Sequence, residues 1–228
     1  MEKLTGKVIV ITGASGGMGR EISKRLAEAG AKLSLLSNDA KGLAEMSGLG
    51  AFSKEVDVRD ESAVRAAFDE IAERLGAPDI LLNLAGLSIP AKIWDMDEAD
   101  FDLTIEVNVK GTFLATKHFA RTNTNGGQII NIGSMAAKRA NGNAPLYCTA
   151  KAAVNMLSAG AAIQLKEKNI RVTTLNPGGA DTPFWGERKV DRSKLLKASD
   201  VADVIMFVLS LDERVAVSEI NFESFLNL

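Results

Sequence analysis

Tyr147 and Lys151 stand four residues apart in a stretch, residues 144–167, whose pattern reads as helix. Side chains at i and i+4 share one helix face, so the spacing sets a phenol beside an ammonium. A free tyrosine has a pKa of about 10 and exchanges protons poorly near neutrality unless its anion is stabilised. A unit charge ~5 Å away contributes about 3 kcal/mol at an effective dielectric near 20, or roughly two pKa units. Lys151 is therefore expected to lower the phenol's pKa and make it a working proton donor or acceptor. Taken alone the spacing is common, and more often marks a half-buried tyrosine beside a solvated lysine. Its weight comes from the residues upstream.

The other chemistry-bearing residues narrow the choice by their scarcity. His118 is the single histidine, so a Ser-His-Asp triad would have to use it and a zinc site would have almost no imidazole to draw on. It is read as structural, and no metal site is expected. Cys148, the single cysteine, points about 100° away from Tyr147 on a helix and is read as a small packing residue.

The elements that must position the pair follow from hydrophobic pattern. Residues 7–12 form a short β-branched run that ends in the glycine cluster Gly13, Gly16, Gly17 and Gly19, followed by a helical pattern through Ile22 and Leu26 that stops at Gly30. A strand, a glycine turn and a helix in that order let the backbone approach a pyrophosphate closely, with free N–H groups at the helix start. Further strands are expected at residues 32–37, 51–56, 79–84, 128–133, 170–176 and 217–222, and helices at 60–75, 99–121, 144–167 and 199–211. Repeated β-α alternation argues for an α/β fold of the doubly wound type, a single domain over residues 1–228 with a mostly parallel seven-stranded sheet and helices on both faces. Residues 181–197, more polar and carrying Phe184 and Trp185, read as a mobile substrate cover.

Composition bounds the partners. The 228 residues carry a net charge of −2, so no global basic field draws in nucleic acid or anionic lipid. The short clusters Lys138-Arg139 and Glu187-Arg188-Lys189 are read as solvated surface. No apolar run approaches the ~20 residues that span a bilayer, no signal peptide is visible, and one cysteine allows no internal disulfide. A cytoplasmic protein with no membrane or nucleic-acid partner is expected.

Set in order, these motifs resemble the short-chain dehydrogenase/reductase family over nearly the whole chain. Thr12, Gly13, Gly17 and Gly19 match the family's glycine motif, and Asn83-Leu84-Ala85-Gly86 matches its Asn-Asn-Ala-Gly element with one departure. The resemblance implies a tetrad of Asn108, Ser134, Tyr147 and Lys151. Tyr147 would be the proton donor, with Ser134 holding the substrate oxygen. Lys151 would lower the phenol's pKa and reach the ribose hydroxyls, and Asn108 would order a water behind the lysine. It further implies cofactor contacts from Gly13, Ser15, Gly16, Gly17, Met18 and Gly19 in the first turn and from Ser37 and Asn38 after the second strand. Asp57 and Val58 would meet the adenine, Asn83, Ala85 and Gly86 would flank the fourth strand's end, and Pro177, Gly178 and Thr182 would meet the carboxamide, with Tyr147 and Lys151 completing the set.

The expected activity is hydride transfer between a nicotinamide and a small carbonyl or secondary alcohol. A 3-oxoacyl thioester reductase shares the same tetrad and remains open, as does a nucleotide-binding regulatory protein that kept the fold. Ser37 stands where an NAD site usually has a carboxylate, so NADP is favoured over NAD, with Asn38 and Lys41 as the nearest donors to a 2′-phosphate. Small and apolar residues on several faces of the 99–121 and 144–167 helices, Ala152, Ala153, Ala159, Ala161 and Ala162 among them, suggest that these helices bury more than the sheet-facing stripe, and the resemblance implies that they pair into a homodimer or homotetramer.

Overall fold

The structure, a computed structural model, describes residues 2–227. Its elements run β1 (Val8–Thr12), α1 (Gly17–Glu28), β2 (Lys32–Ser37), α2 (Ala40–Ala44), β3 (Phe52–Glu55), α3 (Glu61–Leu75), β4 (Ile80–Asn83), α4 (Glu98–Ile105), α5 (Gly111–Thr122), β5 (Gly127–Ile132), α6 (Pro145–Leu165), β6 (Ile170–Pro177), β7 (Ala180–Asp181), β8 (Leu196–Lys197), α7 (Ala198–Ser210) and β9 (Glu219–Phe222). Seven strands form one sheet in the order β3-β2-β1-β4-β5-β6-β9. Every pairing in it is parallel.

Strand side chains alternate between faces, and both faces here are covered. Ile9 and Ile11 of β1 join Leu33, Leu35, Leu82 and Ile130 in a core that also takes α1 and α7 residues such as Ile22, Leu26 and Ile205. Val8 and Val10, one residue out of phase, join Leu36, Leu81 and Ile129 beneath Phe68 of α3 and Phe119 of α5. This two-sided burial explains why the strands read as continuous apolar runs. Between β1 and β4 the strand order changes direction, and the crevice at the strands' carboxyl ends there is where open α/β sheets bind ligands.

Local signals account for most element ends. Asp60 caps α3 by accepting from the N–H groups of Ser62 at 2.8 Å and Ala63 at 3.2 Å. Pro145 opens α6, where its missing N–H costs nothing.

Three features depart from expectation. The helix expected over residues 99–121 is interrupted by a π turn at Glu106–Lys110, since hydrophobic spacing cannot register one residue inserted into a helix. The short α2, capped by the Asp39 carboxylate on Gly42 N–H at 2.9 Å, was not expected. The segment after β6 carries local structure that its polar composition did not signal: β7 and β8 pair with each other, and 3-10 turns at Pro183–Trp185 and Arg192–Lys194 lie between them. Among the described residues no helix is long and apolar enough to cross a membrane, and no cluster of three or more metal-ligating side chains occurs.

Candidate active site

The glycine turn is built so that two segments touch. Gly13 adopts φ +66, and a Cβ there would lie 2.6 Å from the main-chain nitrogen of Ala85, which joins the turn after β1 to the one after β4. A Cβ on Gly17 would lie 2.7 Å from Thr182 Cβ, so Thr182 rests directly on the turn. The N-terminus of α1 has Gly16 at its cap, no side chain satisfying its free N–H groups and no acid in its first turn. Free donors, a positive dipole end and no competing carboxylate fit the diphosphate of a dinucleotide.

At the ribose end, the Ser15 and Ser37 hydroxyls lie 2.7 Å apart, and Ser37 Oγ accepts from the N–H of Asp39 at 3.2 Å. Asn38 and Lys41 are exposed. Beyond them Asp57 accepts from Arg59 Nη2 at 2.7 Å, and that guanidinium holds its carboxyl below the usual carboxylate range. Val58 is buried, occupying the space that a side chain on Gly111 would need. Asn83 is turned into the sheet: Nδ2 donates to Asn131 Oδ1 at 2.8 Å, and Oδ1 accepts from Thr12.

Ser134, Tyr147 and Lys151 line one cavity of about 750 Å³, which Met18, Gly86 and Gly178 also line. Ser134 is fixed from both sides, its N–H donating to Asn176 Oδ1 at 2.9 Å and its Oγ accepting from Ala136 N–H at 3.0 Å. The Ser134 hydroxyl faces the same cavity as the Tyr147 phenol and acts to lower its pKa. One turn along α6, the buried Lys151 donates from Nζ to the Ile132 carbonyl at 2.8 Å and lies 5.7 Å from the Tyr147 ring centroid.

Asn108 sits within the π turn and is fully buried, its Nδ2 donating to Leu87 O and Thr104 O, both at 2.9 Å. Its Oδ1 has no partner. A Cβ on Gly86 would lie 2.9 Å from that oxygen and 3.3 Å from Lys151 Nζ. The π turn therefore brings an unpartnered acceptor up to the lysine, which completes the spatial grouping of the four expected residues.

The electrostatics differ from those expected from spacing. Burial pushes the Tyr147 phenol up to about 12, opposed by the neighbouring Ser134 hydroxyl and by the charge of Arg188. Burial also lowers Lys151 to about 8. Desolvation of both groups, which i,i+4 spacing does not reflect, is the larger effect here. At neutral pH the phenol is in its proton-carrying form.

Arg139, Arg188 and Lys189, from two clusters read as solvated surface, also line this cavity. Arg188 reaches back over the segment that follows β7, its guanidinium 5.0 Å from the Phe184 ring and 5.1 Å from the Trp185 ring. Phe184 in turn lies 5.7 Å from the Tyr147 ring. Arg139 lines the same wall and pairs with Glu223. The i,i+4 spacing of Phe184 and Arg188 was the only signal available. His118 is buried, with Nε2 3.3 Å from Glu61 Oε1.

A family model described as short chain dehydrogenase matches residues 7–193. The chain belongs to that family and is an oxidoreductase of it. An uncharacterized oxidoreductase of Staphylococcus saprophyticus is 33% identical over 229 residues, covering 96% of this chain and 98% of that one. Among solved structures, a short chain dehydrogenase from Burkholderia cenocepacia in complex with NADP superposes with a TM-score of 0.88 at 31% identity, covering 99% and 100% of the two chains. An alcohol dehydrogenase from Thermococcus sibiricus complexed with 5-hydroxy-NADP gives 0.87 at 28% identity, covering 96% and 97%.

Proposed function

We propose that this oxidoreductase interconverts a carbonyl and a secondary or primary alcohol, with Tyr147 delivering or accepting the proton. The observation that carries this reading is the grouping of Ser134, Tyr147 and Lys151 in the wall of one cavity that continues to Met18 of the glycine turn. A carbonyl oxygen held between the Ser134 and Tyr147 hydroxyls receives a hydrogen bond from each. The bound nicotinamide supplies the hydride. As charge develops on the substrate oxygen, the neutral phenol gives up its proton, and Ser134 and the Lys151 ammonium stabilise the phenolate left behind. The orphan Oδ1 of Asn108 is placed to hold a water against Lys151 Nζ, giving the proton a route back.

NADP is the proposed cofactor, ahead of NAD. Ser37 offers a hydroxyl where a carboxylate would repel a 2′-phosphate, the Asp39 carboxylate is engaged in capping α2, and Lys41 stands exposed in that helix. The two solved relatives that carry NADP or a derivative support the same choice.

The proposed assembly is a homo-oligomer. On α6, Ala152, Met156, Ala159 and Ile163 recur at helical spacing on an exposed face, Met156 and Ile163 being 75% and 79% exposed. Phe101 and Phe113 are also exposed. A second copy of this chain would cover such a stripe.

The direct test is spectrophotometric. NADPH and NADH oxidation is followed against ketones, aldehydes, diones and 3-oxoacyl thioesters. Consumption dependent on a simple ketone or aldehyde is expected, while turnover confined to thioesters would move the assignment to acyl reduction. No turnover with any of them would remove the reading.

A further inference from the structure

The cavity wall carries Lys151, Arg139, Arg188 and Lys189, and among the described residues that line it there is no aspartate or glutamate. In a chain of net charge −2 this is a local reversal of sign. The four cations differ in how far their charge is already engaged. Lys151 belongs to the proton-transfer group, and Arg139 is paired with the nearly buried carboxylate of Glu223. Lys189 is exposed. Arg188 has no carboxylate partner among the described residues, and what holds it is its own segment: Nε donates to Trp185 O at 2.8 Å and Nη2 to Phe184 O. With both rings packed against the guanidinium, its plane is fixed, and Nη1 keeps both hydrogens unassigned.

A fixed guanidinium with a free edge is the group best shaped to receive a planar oxyanion. We propose that the substrate of this enzyme is a carbonyl compound bearing a carboxylate, received by Arg188 while the carbonyl lies between Ser134 and Tyr147. Phe184 lies 5.0 Å from the Arg188 guanidinium and 5.7 Å from the Tyr147 ring, so a substrate reaching both would pass an apolar ring and separate its carbonyl from its carboxylate by several bonds. A single free guanidinium edge in a largely apolar wall suits a singly charged carboxylate, whereas a phosphate dianion would call for more donors. The lowering influence of Arg188 on the Tyr147 phenol shows that its charge is felt at the reacting centre. This inference rests on the carbonyl-reductase reading.

The test uses two substrate pairs matched in shape, 4-carboxybenzaldehyde with 4-formylbenzamide and 5-oxohexanoate with 5-oxohexanamide. Rates are measured in wild type, Arg188→Met and Arg188→Lys. The kcat/KM ratio of acid to amide should exceed one in wild type and fall about 10- to 100-fold in Arg188→Met, the range of a lost charge-assisted contact. Arg188→Lys should recover part of it. Comparing ratios removes the intrinsic reactivity of each carbonyl. An unaltered ratio, or a rise in KM for NADPH as large as the loss on the acids, would overturn the assignment and leave the reductase reading standing.

Binding is read separately in a Trp94→Phe background, where Trp185 is the remaining tryptophan. The acids, and not the amides, should alter its emission, and Arg188→Met should abolish the change. That result without turnover of any pair would uphold the anion site while removing the reductase reading. Neither binding nor turnover would remove both.

Discussion

Lys151 is tied to Ile132. Its Nζ donates at 2.8 Å to the carbonyl of the last residue of β5, two residues ahead of Ser134, so the ammonium and the serine are held by the same strand end. The lysine's distance from the tyrosine ring is thereby set by the sheet as well as by the helix that carries both residues. Removing the phenol's oxygen should leave this frame in place. Tyr147→Phe is expected to lower turnover at least ~10²-fold, the scale of general-acid catalysis, with little change in the cofactor dissociation constant. Steady-state rates together with NADPH titration by fluorescence would check both halves, and near-normal turnover would end the assignment of Tyr147.

Burial of Lys151 has a pH-dependent cost. Its folded pKa is lowered to about 8, so between pH 8 and about 10.5 the unfolded chain binds more protons, and this group's contribution makes stability rise with pH across that window. Tyr147, raised to about 12, acts in the opposite sense from about pH 10 upward. Lys151→Met should therefore be more stable than wild type at pH 7, by about 2 kcal/mol once the lost hydrogen bond is deducted. The gap should narrow by pH 10, and the variant should be inactive. Urea unfolding at pH 7 and pH 9.5 would measure this; a variant less stable at both values would contradict it.

The proposed NADP preference puts weight on one exposed cation, Lys41. If Lys41 reaches a 2′-phosphate, Lys41→Ala should raise KM for NADPH several-fold and leave that for NADH in place. Equal effects on the two, or a wild type faster with NADH, would contradict the NADP preference.

The stripe on α6 predicts association. Light scattering at micromolar concentration should give the mass of a dimer or tetramer, and Met156→Lys with Ile163→Lys should shift it toward the monomer, since buried like charges oppose packing. A monomer mass for the unaltered chain would rule out that role for the stripe.

The legible parts of this protein were those determined by short-range pattern. Residues 8–11 lie in β1 as expected, because a buried parallel strand leaves an unbroken apolar run, and the 60–75 helix matches α3 with Asp60 as its cap. The Tyr147 and Lys151 pair shares a helix as its spacing required. The unseen parts depend on contacts distant in sequence or on burial. The π turn at Asn108 is an extra residue in a helix that otherwise keeps its composition, and it is what carries that amide toward Lys151. Arg188 looked like surface because its cluster is charged, and only the fold shows Phe184 and Trp185 beneath its guanidinium. The pKa values depended on desolvation, which i,i+4 spacing does not contain.

A two-residue ladder joins β7 and β8. Ala180 pairs with Leu196 and Asp181 with Lys197, and Leu196 N–H donates to Gly179 O at 2.9 Å. The segment between, with Thr182, Phe184 and Arg188, thus begins and ends at neighbouring points on the frame. Loop-closure entropy grows only with the logarithm of length, so residues can be inserted or exchanged inside this clasp at small thermodynamic cost and without displacing β6 or α7. In engineering terms it is an exchangeable cartridge: transplanted between related frames, it should carry the proposed carboxylate preference with it while the proton-handling residues stay behind.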